Sequence, residues 1–121
     1  MREIDSPDQD ARTVTMTVRH WQIIDATLDN EVDTAVMNGD PQRLVALGRS
    51  VRLAGWEQIA GAEERWPPNE EVVSITLASR QWKLVTGSLE RWSAIAERAG
   101  QSDDAELGRH VHSLVSAQLP A

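Results

Sequence analysis

The sequence predicts a mainly α-helical domain: a tandem β-α-α pseudo-repeat whose four helices form two antiparallel αα-hairpins and whose two short strands pair. Three observations predict it. The stretch MTVRHWQIIDATLD, from Met16 to Asp29, returns as LASRQWKLVTGSLE, from Leu77 to Glu90. Thr15 then matches Thr76, Arg19 matches Arg80, Trp21 matches Trp82, Ile23 matches Leu84, Ile24 matches Val85, Leu28 matches Leu89 and Gly39 matches Gly100. Ahead of each copy, β-branched polar and apolar residues alternate; behind each, a glycine stop precedes a second amphipathic stretch. One such unit would bury a single stripe and leave its strand unpaired, whereas two can share a core.

Residues 1–12 are polar and acidic and too poor in apolar groups to offset the entropy of ordering, so a flexible tail is expected there. The remainder, 13–121, reads as one domain: a first copy over 13–60, a linker over 61–71 and a second copy over 72–121. In Thr13 to Val18 the alternation puts Val14, Met16 and Val18 on one face of a strand, and in Val72 to Ala78 it does the same for Val73, Ile75 and Leu77. At about 100° per residue, Trp21, Ile24, Leu28, Val32, Ala35 and Val36 fall within roughly 120°, an amphipathic helix. Trp82, Val85, Leu89, Trp92 and Ala96 repeat that stripe.

Gly39 is placed as the residue just past the first helix, Asp40 as the N-cap of the next and Pro41 as its first residue. Gly100 and Ser102 fill the corresponding roles in the second copy, with Asp103, Asp104 and Glu106 complementing the helix dipole and with two extra residues in the connection. That shift pairs Leu44 with Leu107, Leu47 with His110, Gly48 with Val111, Val51 with Leu114 and Ala54 with Ala117. Gly48 and Gly55 lie in the centre of their stripe, where a missing side chain admits a partner helix or a tryptophan despite about 1 kcal/mol of lost helix propensity each. Pro67 and Pro68 end any helix in the linker.

Composition bounds the chemistry. The chain has 121 residues, no Cys, no Phe and no Tyr, so its five Trp supply the bulky packing and thiolate chemistry is excluded. A formal charge of −7 argues against direct nucleic-acid binding, which needs a basic face. Arg supplies every basic residue except Lys83, as a GC-rich genome would dictate. No stretch approaches the roughly 20 apolar residues that span a bilayer, and the charged start does not read as a signal peptide, so the expected location is the cytoplasm.

Candidate sites are few. His110 takes a stripe position and is expected to face inward with a hydrogen-bond partner, while His112, two residues on, faces elsewhere. His20 stands at the edge of the core. No metal site and no cofactor are expected, because no third or fourth ligand converges and no P-loop, G-x-G-x-x-G, G-x-S-x-G or H-E-x-x-H is present. Asp25, Asp29 and Asp33 form an acidic ridge at i, i+4, i+8. Ile23, Met37, Leu84 and Ile95 make a second apolar face, which with Leu53 and Trp66 is the candidate partner surface. Trp66, beside the proline pair, is expected to plug the open end of the helical layer.

These features favour a small protein-interaction or regulatory module without catalytic activity, a homodimer or a binder of another protein. Two alternatives stand beside it. One is an acidic inhibitor that mimics nucleic-acid charge, of a phage or anti-defence type, working through the ridge. The other is a small-ligand pocket lined by tryptophans and His110.

Overall fold

In the computed structural model, which describes residues 10–120, two strands form an antiparallel ladder. These are β1 (Ala11–Thr17) and β2 (Val72–Ala78), with Ala11 opposite Ala78 and Thr17 opposite Val72. Residues 1–9 of the expected tail lie outside the described residues, and Ala11 and Arg12 belong to β1 rather than to a tail. The alternation sorts the faces as read: Val14, Met16, Ile75 and Leu77 are buried, while Thr13, Thr15, Ser74 and Thr76 are exposed. On the outer face the hydroxyls of Thr13 and Thr76 lie 2.7 Å apart, and those of Thr15 and Ser74 3.0 Å apart, the cross-strand pairs that such a face favours.

Each strand runs without a loop into a helix, α1 (Val18–Met37) after β1 and α3 (Ser79–Arg98) after β2. Val18 is therefore the first residue of a helix, buried all the same, and not the last of a strand. The start of α1 is a capping box. Thr17 Oγ1 accepts from His20 N at 3.2 Å, and His20 Nδ1 accepts from Thr17 N at 3.3 Å. In α3 only one half of the box exists, because Ala78 has no side-chain acceptor; Gln81 Oε1 accepts from Ala78 N at 2.8 Å.

Both helices end on a left-handed glycine, Gly39 at φ +80° and Gly100 at φ +79°. The following N–H groups, of Asp40 and Gln101, return to the carbonyls of Ala35 and Ala96 at 2.6 and 2.8 Å, which closes the last turn and satisfies its orphan acceptors. Beyond these stops the expectations need correcting. The next helix of the first half, α2 (Leu44–Ile59), starts three residues later than Pro41, and Arg43 holds the N-cap position in a left-handed conformation. Asp40 still caps it from a distance, its carboxylate accepting from Leu44 N at 2.6 Å and Val45 N at 3.3 Å. In the second half α4 (Ser102–Ser116) begins at Ser102 itself, and Gln101 stands at the N-cap without a side-chain bond. The connection after α3 is thus the shorter of the two, not the longer.

The buried stripes meet in one cluster that holds Trp21, Ile24, Leu28, Val51, Trp82, Val85, Leu89, Val111 and Val115 above the strand residues Val14, Met16, Ile75 and Leu77. Trp21 and Trp82 are both fully enclosed, and truncating either to alanine is worth about 3–5 kcal/mol by the usual cost of removing a core indole. Val36 lies outside the stripe and is 52% exposed, since the core is centred on the Ile24 side of the wheel. A bead of glycines sets the close approaches. A Cβ on Gly55 would meet the Trp21 ring, one on Gly48 the Val32 side chain and one on Gly108 the Ser93 hydroxyl. His110, expected to face inward, is exposed on α4, and Val111 faces in instead.

Candidate interaction groove

Between α1 on one side and α3 with α4 on the other runs an open groove of about 400 Å³. Ile23 and Ala26 of α1, Trp92 and Ile95 of α3, and Leu107 and Gly108 of α4 give it a carbon lining, with Thr27, Asn30, Gln101 and Asp104 adding polar groups. Gly108 lets α4 lie directly on Ser93, whose hydroxyl is buried without a hydrogen-bond partner.

Trp92 is held by a residue that sequence reading passed over. Glu31 is 5% exposed, and its Oε1 accepts from the Trp92 indole N–H at 2.8 Å. Its other oxygen lies 3.4 Å from the Arg91 guanidinium, and that guanidinium carbon sits 6.0 Å from the Trp92 ring centre. A buried carboxylate needs such partners, because an unpaired one would be strongly disfavoured. The signal was available: at about 100° per residue Glu31 falls beside Ile24, at the margin of the apolar stripe rather than opposite it.

Of the candidate partner surface, the groove gathers Ile23 and Ile95 only. Leu84 packs against the core and lies near Gly48 of α2, on another side of the molecule. Met37, at the end of α1, is 85% exposed, and Leu53, on the outer side of α2, is 56% exposed. Trp66 packs against the core and meets Trp56 edge-on, ring centres 4.9 Å apart.

The acidic ridge is divided. Arg52 of α2 reaches Asp25 at 2.9 Å and Asp29 at 2.8 Å, while Asp33 stays exposed. The fork raises the Arg52 pKa above its ordinary value, chiefly through the hydrogen bond to Asp25. Two of the three carboxylates are thus satisfied within the fold. On another face, His20 and His110 bring their rings to 5.5 Å, tilted. Burial, then the neighbouring His110 and Arg19 charges, lower the His20 pKa. Neither histidine lines the groove.

Among the described residues no three His, Cys, Asp or Glu side chains converge as a metal site would require. No described helix is long and apolar enough to cross a membrane. No family model, no curated protein and no solved structure matches the chain.

Proposed function

We propose that this protein is a non-catalytic protein-interaction module of the cytoplasm, built from two fused β-α-α units, that receives an apolar side chain of a partner protein in the α1/α3–α4 groove, with a second copy of itself as the first partner to test. The single observation that carries the reading is the groove. It gathers Ile23 and Ile95 around a tryptophan that a buried carboxylate holds in place, and it offers a carbon surface rimmed by the Asn30 and Gln101 amides, the Thr27 hydroxyl and the Asp104 carboxylate. Apolar anchors seated in such depressions contribute most of the affinity at protein interfaces. The clamped state of Asp25 and Asp29 removes support from the charge-mimic alternative.

Contacts that cross between the halves support the fused-unit reading and its two αα-hairpins. Gln58, at the end of α2, bonds Thr76 of β2, and Gln118, just past α4, bonds Thr15 of β1. His20 of α1 meets His110 of α4, and Gln81 of α3 meets Ser50 of α2 at 3.2 Å. Val14 pairs with Ile75 in the ladder, and each is the other's match in the sequence repeat. Glu31 and Trp92 stand in the same relation. A pseudo-twofold axis through Val14 and Ile75 accounts for all of these.

The test is Ile95→Arg, which places a charge in the groove without touching the core. Light scattering after size exclusion should give a dimer for the parent chain and a monomer for the variant. If both are monomers, the homodimer is wrong. Cross-linked partners captured in the native host should then depend on Ile95, and an identical set from parent and variant would dismiss the groove as an interaction site.

A further inference from the structure

Among the described residues the sheet has two strands, so each has an open edge, and edges recruit other strands. Proteins usually blunt them with lysine, proline or a bulge. Val72–Ala78 carries no charge and no proline, the ladder has no bulge, and in β1 the one charged residue is Arg12. Something else must close these edges.

In an antiparallel ladder the N–H and C=O groups of alternate residues point away from the partner strand. At Thr15 and Thr76 both outward groups are taken by a glutamine. Thr76 N donates to Gln58 Oε1 at 2.8 Å, and Gln58 Nε2 donates back to Thr76 O at 2.8 Å. Thr15 N donates to Gln118 Oε1 at 2.8 Å, and Gln118 Nε2 donates to Thr15 O at 2.8 Å. A primary amide bonded in this way copies the paired bonds of one residue in a third strand. The next outward N–H along each strand is closed as well, Thr17 by His20 Nδ1 and Ala78 by Gln81 Oε1. The amides of Ala11, Thr13, Val72 and Ser74 are left pointing outward.

We infer that Gln58 and Gln118 are edge guards: each amide stands in for an added strand, and together they keep the sheet from extending into a second copy of this chain. A second copy is the occupant that fits, because β1 and β2 already pair with each other and share the same outward row of hydroxyls. The outer edge of one copy's β2 therefore matches the outer edge of another copy's β1. The guards are crossed, each helix end closing the strand of the other half, so an intact fold is the condition for closed edges.

Amide exchange on the folded full-length chain reads the guards directly. In the parent, the amides of Thr15 and Thr76 should exchange more slowly than those of Thr13 and Ser74; equal rates would overturn the proposal. Gln58→Ala should speed exchange at Thr76 by about tenfold with Thr15 unchanged, and Gln118→Ala should do the reverse. The double alanine variant should associate beyond the parent in light scattering and bind thioflavin T. The double glutamate variant should not, since its carboxylates still accept from the strand amides while their charge repels an incoming strand. Association of both double variants, or of neither, would overturn the assignment. Association that disappears in an Ile95→Arg background belongs to the groove and overturns it too, whereas association that survives there supports the edge whether or not the groove reading holds.

Discussion

In the first half the second helix lies against bare backbone at two places, while in the other half it does so at one. Gly48 and, two turns on, Gly55 bring α2 onto Val32 and onto the Trp21 indole; Gly108 brings α4 onto Ser93, but two turns on stands the buried Val115. The fate of the indole N–H groups differs too. Trp82 donates to the Arg12 carbonyl at 2.8 Å, and Trp21, lying on Gly55, is buried with no partner for its Nε1. An unsatisfied buried donor costs about 1–3 kcal/mol, so the first half trades a hydrogen bond for the contact between ring and helix backbone. The lesson is that units with the same order of elements reach the same burial by different means, and that tolerance to change should follow the means.

Alanine at the three glycines tests that comparison most severely. The Gly55 Cβ position lies 1.9 Å from a Trp21 ring carbon, and a ring enclosed on all sides cannot turn away. Gly55→Ala should cost about 3 kcal/mol or more, as overpacked cores do. At Gly48 the obstacle is a Val32 methyl at 2.5 Å, and the stiffness of a β-branched side chain points to about 1–2 kcal/mol. At Gly108 it is the Ser93 hydroxyl, which a rotamer change can move, and about 1 kcal/mol of gained helix propensity opposes the strain. Gly108→Ala should therefore be close to neutral. Urea midpoints at constant m-value would rank the three. A Gly108→Ala loss as large as that of Gly55→Ala would erase the distinction between the halves.

The second test falls where the halves face each other. Glu31 of α1 and Trp92 of α3 meet across that boundary, a buried carboxylate against an indole donor. Trp92→Phe keeps most of the ring but removes the donor, leaving Arg91 as the remaining partner of a buried carboxylate. A loss of about 2 kcal/mol is expected from the unmet acceptor. Leucine at both positions should recover much of it, because a matched apolar pair needs no donor. Additive losses in that double variant would mean that the pair does not act as one unit.

How far the sequence disclosed this can be judged residue by residue. The inward strand residues Val14, Met16, Ile75 and Leu77, the paired tryptophans and both glycine stops are legible, because alternation, helical period and left-handed φ are local properties. The restart at Leu44 is not legible: an Asp-Pro pair has the pattern of a cap at close range, whereas Asp40 caps from four residues upstream. With α4 starting at Ser102 directly after Gln101, Val111 faces inward and His110 outward. The groove is half legible: Ile23 and Ile95 stand out as apolar residues off the stripe, and period places Trp92 on its stripe and Glu31 at the margin of its own, but the bond between those two depends on how α1 and α3 meet, which no periodicity within one helix encodes. The glutamines that close the sheet edges were invisible for the same reason.

The smallest expected effect concerns protons. His20 and Gln81 play one part in the two halves, each accepting from the N–H that precedes its helix. Only the histidine titrates. Its pKa lies below the ordinary value of about 6.5, first through burial, then through His110 facing it from α4 and Arg19 beside it on α1. A base whose folded pKa is lowered is held neutral by the fold while the unfolded chain takes up the proton. The stability tied to neutral His20 is therefore complete above about pH 6.5 and drains away as the pH falls from there toward the lowered value. Protonation also turns Nδ1 from an acceptor into a donor, which breaks the bond from Thr17 N and with it one half of the capping box. His20→Gln, which gives the first half the residue of the second, keeps an acceptor for Thr17 N and removes the titration. Its stability at pH 8 should match that of the parent, and its decline between about pH 7 and 5 should be shallower. An unchanged slope would place the acid sensitivity elsewhere and leave the two helix starts equivalent in energy as well as in geometry.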